Sequence, residues 1–154
     1  MKSSVFAVCL VLAVFVGLAA CATRIDARGW NDEIEWYNYE DGLALSKESG
    51  KPVMIVLHKT WCGACKRLKP QFAASAEIQE LSKNFVMVNA EDDEAPHADT
   101  RYQADGGYIP RIYFANSDGE AIDQQNGGRV ASGQYLYFYA TPAEVIESMK
   151  AQSN

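Results

Sequence analysis

The sequence predicts a single α/β domain of three layers, with helices on both faces of a central mixed sheet. Three observations predict it. Val53–Leu57 (VMIVL) and Phe85–Val88 (FVMV) are continuous apolar runs of strand length, the pattern of strands covered on both faces. The residues between them read as a helix, which makes a right-handed βαβ unit. Asn116-Ser117-Asp118-Gly119 is a turn signal after a third apolar run, so a hairpin joins the parallel pair.

The elements follow in order. Residues 23–37 are a polar lead-in that docks through Trp30, Ile34, Trp36 and Tyr37. A helix spans 38–49: Asn38 caps it, Asp41 takes the third helical position, Gly50 ends it and Pro52 forbids its continuation. The first buried strand is 53–57. A long helix starts at Cys62 and runs to Asn84, kinked or split by Pro70. The second buried strand is 85–88. Residues 90–107 form a polar surface loop or an irregular helix. The third strand is 112–115, and its hairpin returns through 120–123. Thr141 caps a final helix, with Pro142 at its first position and Glu144 completing a capping box.

At 154 residues, 48% apolar and 22% charged, the chain is neither disordered nor collagen-like. Its net charge of −6 would repel a polyanion, which excludes nucleic acid as the natural partner. Residues 1–22 read as a cleaved secretory signal. Lys2 supplies the basic start, Val5–Ala20 (VFAVCLVLAVFVGLAA) carries no charge, and Ala20-Cys21-Ala22 fits a small-x-small cleavage site. The apolar run is shorter than the roughly 20 residues of a spanning helix, so no stable membrane insertion is expected. A bacterial lipoprotein signal with Cys21 as the lipidated residue is the alternative. The expected domain is then 23–154, with no Asn-x-Ser/Thr sequon.

Removing the signal takes Cys9 and Cys21 with it. Cys62 and Cys65 remain, in the stretch KTWCGACKRLKP. A structural disulfide across so short a loop restrains the unfolded chain little. Disulfide exchange, by contrast, needs an attacking thiolate and a second thiol that resolves the mixed disulfide. A Cys-x-x-Cys opening a helix supplies both. Cys62 at the helix N-terminus is favoured as a thiolate by unpaired N–H groups and the helix dipole. Cys65, one turn on, is the resolving thiol. Gly63 and Ala64 leave the approach open, and Trp61 offers an apolar wall or simply packs. Half a zinc site is the other reading of such a pair, with His58 and His97 completing it, but the spacing fits no common finger. His58 and Lys59 are also candidates to relay the proton of Cys65. Glu91-Asp92-Asp93-Glu94 reads as a solvated loop rather than a calcium patch.

Gly106-Gly107-Tyr108-Ile109-Pro110 precedes the third strand. A proline entering a central strand needs a reason. A cis Ile109–Pro110 bond would expose the Ile109 backbone to an extended substrate strand; an ordinary trans turn is the alternative.

With these residues in hand, the chain resembles the thioredoxin superfamily. Within it, the chain resembles the small endoplasmic-reticulum branch of thioredoxin domain-containing protein 12 and its anterior gradient relatives. The stretches that carry the resemblance are GKPVMIVLHKTWCGACKRLKP (50–70), EIQELSKNFVMVN (77–89), DGGYIPRIYF (105–114) and YLYFYATPAEVIESMK (135–150). The resemblance implies a thioredoxin fold and a glutathione-coupled thiol–disulfide oxidoreductase that acts on client proteins as a monomer. It implies Cys62 as nucleophile, Cys65 as resolving thiol, a cis Pro110 and a helix proline at Pro70. No bound cofactor or metal is implied, glutathione being a redox co-substrate. The alternative is a non-catalytic, chaperone-like module of the anterior gradient type. Two features depart from the pattern. Val56 stands where thioredoxins bury an acid, and Gln152-Ser153-Asn154 is no endoplasmic-reticulum retention tetrapeptide. The expected location is therefore the endoplasmic-reticulum lumen or the extracellular space.

Overall fold

The computed structural model describes residues 22–153. Apart from Ala22, the signal-peptide reading of residues 1–22 lies outside the described residues. Six strands form one mixed sheet: β1 (Arg24–Ile25), β2 (Trp36–Tyr37), β3 (Val53–His58), β4 (Val86–Glu91), β5 (Arg111–Ala115) and β6 (Ala121–Ile122). Their order is β1-β2-β4-β3-β5-β6, with β3 parallel to β4 and antiparallel to β5. The helices are α1 (Tyr39–Ser49), α2 (Gly63–Ala73), α3 (Ala76–Ser82), α4 (Gly127–Val130) and α5 (Pro142–Gln152).

The alternation of side chains along β3 divides the core. Val53, Ile55 and Leu57 point to the α1 face, with Tyr39, Val88, Tyr102, Tyr113 and Tyr137. Met54 and Val56 point to the face of α2, α3 and α5, with Trp30, Leu68, Phe72, Ile78, Val145 and Met149. All six β3 residues are buried, as their apolar run requires.

The caps read from the sequence are present. The Asn38 side chain accepts from the Asp41 N–H, Gly50 ends α1 at φ 72°, and Thr141 with Glu144 forms the capping box. Four expectations change. Pro70 lies inside α2 without ending it; the break falls at Ala74, because Ser75 caps a new helix by accepting from Ile78 N at 3.2 Å. β4 runs on to Glu91, because the Asn89 amide is satisfied inside the sheet by His58 and by the Ala27 carbonyl. The lead-in contributes two strands, each too short to show an alternation. The 90–107 segment gives its first two residues to β4 and otherwise carries a 3₁₀ turn at Thr100–Tyr102.

Candidate active site

β3 ends at the site. His58 closes the strand, and Lys59-Thr60-Trp61 turn the chain into α2, with Cys62 N–H donating to Lys59 O at 3.2 Å. This turn is held from the neighbouring strand end. Asp92 accepts from Thr60 N–H at 2.8 Å and from its hydroxyl at 3.1 Å, and these bonds hold the Asp92 carboxyl below its ordinary value. Lys59 pairs with Asp93 at 2.7 Å.

Cys62 is the N-cap of α2, and its Sγ accepts the Cys65 N–H at 3.0 Å. Negative charge on that sulfur would face an unpaired helix N-terminus. Cys62 and Cys65 are joined as a disulfide, with their Cα atoms 5.3 Å apart. Cys62 is 4% exposed and Cys65 1%, so the nucleophile candidate is the more accessible of two largely covered sulfurs. Trp61 is 72% exposed beside them, Gly63 is exposed and Ala64 half-buried.

The opposite wall comes from far along the chain. Ile109–Pro110 is cis, as is Ala95–Pro96, which the sequence did not flag. The Ile109 carbonyl oxygen lies 3.7 Å from Cys62 Sγ. The loop before it is tied down by buried or half-buried polar groups. Arg111 donates to Gly106 O at 2.9 Å, and the Tyr108 hydroxyl donates to the Asp105 carboxylate at 2.6 Å. Leu136 N–H donates to Asp105 at 2.5 Å and Tyr137 N–H to the Tyr108 hydroxyl at 3.0 Å. Burial pushes the Tyr108 phenol well above its usual range and Arg111 below its own. Sequence reasoning missed Asp105, Arg111 and Asp92 as site residues. Asp105 and Arg111 flank Gly106–Pro110, and that adjacency was the one available signal.

The face of the sheet beneath α2 carries no acid at Val56, which is fully buried and paired with Asn89. The polar groups there are His58 and Asn89. His58 is fully buried, its Nε2 is 2.7 Å from Asn89 Oδ1, and its ring lies 5.3 Å from Trp30. Burial lowers its pKa from 6.5 to about 4, so the ring is neutral at physiological pH. Among the described residues the side chains of His58 and Lys59 make no hydrogen bond to either cysteine. His97 donates its Nε2–H to Ala90 O at 2.9 Å and does not share a ligand set with Cys62 and Cys65; among the described residues no three His, Cys, Asp or Glu side chains are grouped to hold a metal ion. A cavity of about 470 Å³ lined by Glu33, Leu45, Lys51, Lys83 and Phe85 lies at the opposite ends of β3 and β4.

Residues 35–117 match the family described as thioredoxin-like. The chain belongs to this family. Among its relatives, mouse anterior gradient protein 3 is 32% identical, the match covering 97% of this chain and 94% of that protein. Human anterior gradient protein 2 homolog is 35% identical over 80% of this chain and 69% of its own length. Two solved structures share the thioredoxin-like fold. The first thioredoxin domain of mouse protein disulfide-isomerase A4 superposes with a TM-score of 0.54 at 16% identity, over 79% of this chain and 76% of that one. The disulphide isomerase of Xylella fastidiosa Temecula1 gives 0.53 at 22%, over 75% and 88%. No described helix is long and apolar enough to cross a membrane.

Proposed function

We propose that this protein is a monomeric thiol–disulfide oxidoreductase of the secretory pathway, in the endoplasmic-reticulum lumen or outside the cell, exchanging disulfides with client proteins and coupled to glutathione. The observation that carries it is the Cys62–Cys65 disulfide at the N-terminus of α2, facing the Ile109 carbonyl across 3.7 Å.

In the reducing direction the Cys62 thiolate attacks a client disulfide. A Cys62–client bond forms, and the other client sulfur leaves as a thiolate and takes a proton. Cys65 then loses its proton and attacks Cys62 Sγ, which frees the second client sulfur. The client gains two electrons, and the protein is left with the Cys62–Cys65 bond, which two glutathione thiols reduce again. In the oxidising direction a client thiolate attacks Cys62 Sγ and the sequence reverses. Trp61, Gly63, Ala64, Ile109 and Pro110 border the approach to Cys62 and contact the client. Val56 leaves the Cys65 proton without a buried carboxylate acceptor.

The test is insulin reduction by the wild type and by Cys62→Ser. Turnover that survives in Cys62→Ser would refute the nucleophile assignment. A wild type with no turnover would leave the non-catalytic binding reading.

A further inference from the structure

Beside the dithiol lies a second, smaller cavity of about 240 Å³, lined by Tyr108, Ile109, Arg129, Tyr135 and Phe138. Ile109 belongs to both, since its carbonyl faces Cys62 Sγ. The cavity is smaller than the roughly 300–1,000 Å³ of sites that enclose a whole small ligand, and suits one or two side chains. Its lining is mostly aromatic: Tyr108 and Tyr135 meet edge to face at 5.0 Å, and Tyr108 is fixed through Asp105 and Tyr137.

Two details set this cavity apart from ordinary packing. Arg129 stacks its guanidinium 4.5 Å from the Phe138 ring, its Nε is covered without a hydrogen-bond partner, and among the described residues no carboxylate pairs with it. A cation held on an aromatic face without a carboxylate partner is available to an acidic group of a bound segment. Tyr135, 51% exposed, holds its backbone at φ 55°, where a bulky residue is rare and glycine would be at ease.

We infer that this cavity, on the proposed redox reading, is a specificity pocket for client polypeptides: it seats an apolar or aromatic side chain within one or two residues of the reacting client cysteine, and Arg129 pairs with an adjacent client carboxylate. An extended segment crossing the Ile109 backbone advances about 3.3 Å per residue, which brings a near neighbour of its cysteine over the pocket. Tyr135 is held in its unfavourable conformation as the wall of that pocket.

The experiment uses three disulfide substrates with dithiothreitol regenerating the reduced protein. One is a peptide disulfide whose cysteine is flanked by Phe and Glu, one is the same peptide with Gly and Lys, and the third is glutathione disulfide. The wild type should prefer the Phe/Glu peptide in kcat/KM, chiefly through KM. Arg129→Gln and Tyr135→Gly should each reduce that preference by about fivefold to tenfold, the effect of losing one anchoring contact. Glutathione disulfide turnover should not change. Tyr135→Gly should keep or raise the thermal midpoint, since glycine adopts positive φ freely. Turnover of all three without preference, or loss on both peptides alike, would overturn the pocket while leaving the redox reading intact. An equal loss on glutathione disulfide would reassign the pocket to a small thiol. No turnover of any substrate would remove the redox reading and the pocket with it.

Discussion

The two walls of the dithiol site are held by different means. The wall at residues 58–65 is local. A strand end, a tight turn and a helix cap place it, and Asp92 and Asp93 from the next strand end clamp the turn. The wall at residues 105–138 is assembled over distance, by Asp105 and Tyr108 reaching Leu136 and Tyr137 and by Arg111 reaching Gly106. The first wall contains both sulfurs and no tyrosine. The second contains no sulfur and is built on Tyr108, Tyr113 and Tyr137, whose hydroxyls are hydrogen-bonded. On the proposed reading the sulfur chemistry lies in the first wall and the pocket that selects clients in the second: changes in the second wall should alter which clients react, and changes at the sulfurs and their turn should alter whether and at what potential they react.

Five substitutions bear on that separation. The largest effect is expected at the sulfurs. Cys62→Ser should lower disulfide turnover by more than about three orders of magnitude, since no other nucleophile replaces it, and Cys65→Ser should accumulate mixed disulfides visible by mass.

The next concerns His58, which backs the first wall. Its pKa is about 4 in the fold and the unfolded chain titrates near 6.5, so the unfolded state binds the extra proton in between. Its contribution is intact above pH 6.5 and is lost as pH falls toward 4, by up to about 3 kcal/mol. Urea midpoints at pH 7.5, 6 and 5 should show this slope. In His58→Gln only the slope from His97, also lowered by burial, should remain.

Asp105→Ala strips the acceptor from Tyr108 and Leu136 and should cost about 1–3 kcal/mol of stability. It should impair peptide turnover and leave the Cys62–Cys65 potential unchanged. A shifted potential would show that the walls are not separable.

The smallest effect is expected from Asp92→Ala. Removing a negative charge held beside the turn into Cys62 should favour the thiolate and raise the potential, by less than about 30 mV. Peptide preference should stay as in the wild type.

Legibility in the sequence follows the same division. Most of what has its cause within a few residues could be read: the buried strands from VMIVL and FVMV, the caps at Asn38 and Thr141, the Asn116–Gly119 hairpin, and Cys62 at a helix start; the Ser75 cap is the local feature that was missed. What depends on distant partners could not. Asn89 interrupts an apolar run, and only His58 and Ala27 make it fit a strand. Two-residue strands such as Trp36–Tyr37 show no period and exist because β4 offers a free edge. Pro70 looked like the helix breaker, whereas the Ser75 side chain sets the break. Arg129 and Tyr135 lie in a stretch, QQNGGRVASGQYLYF, to which the sequence assigned no element; their meeting with Tyr108 and Ile109 is purely tertiary.

The most direct measurement equilibrates the protein across a series of glutathione redox ratios, quenches with an alkylating agent and weighs the intact chain. A single transition in which Cys62 and Cys65 gain two labels together, at a potential within roughly −270 to −120 mV, is the predicted result. A chain that shows no such transition, or in which the two cysteines label independently, would contradict the assignment of this pair as an exchanging dithiol.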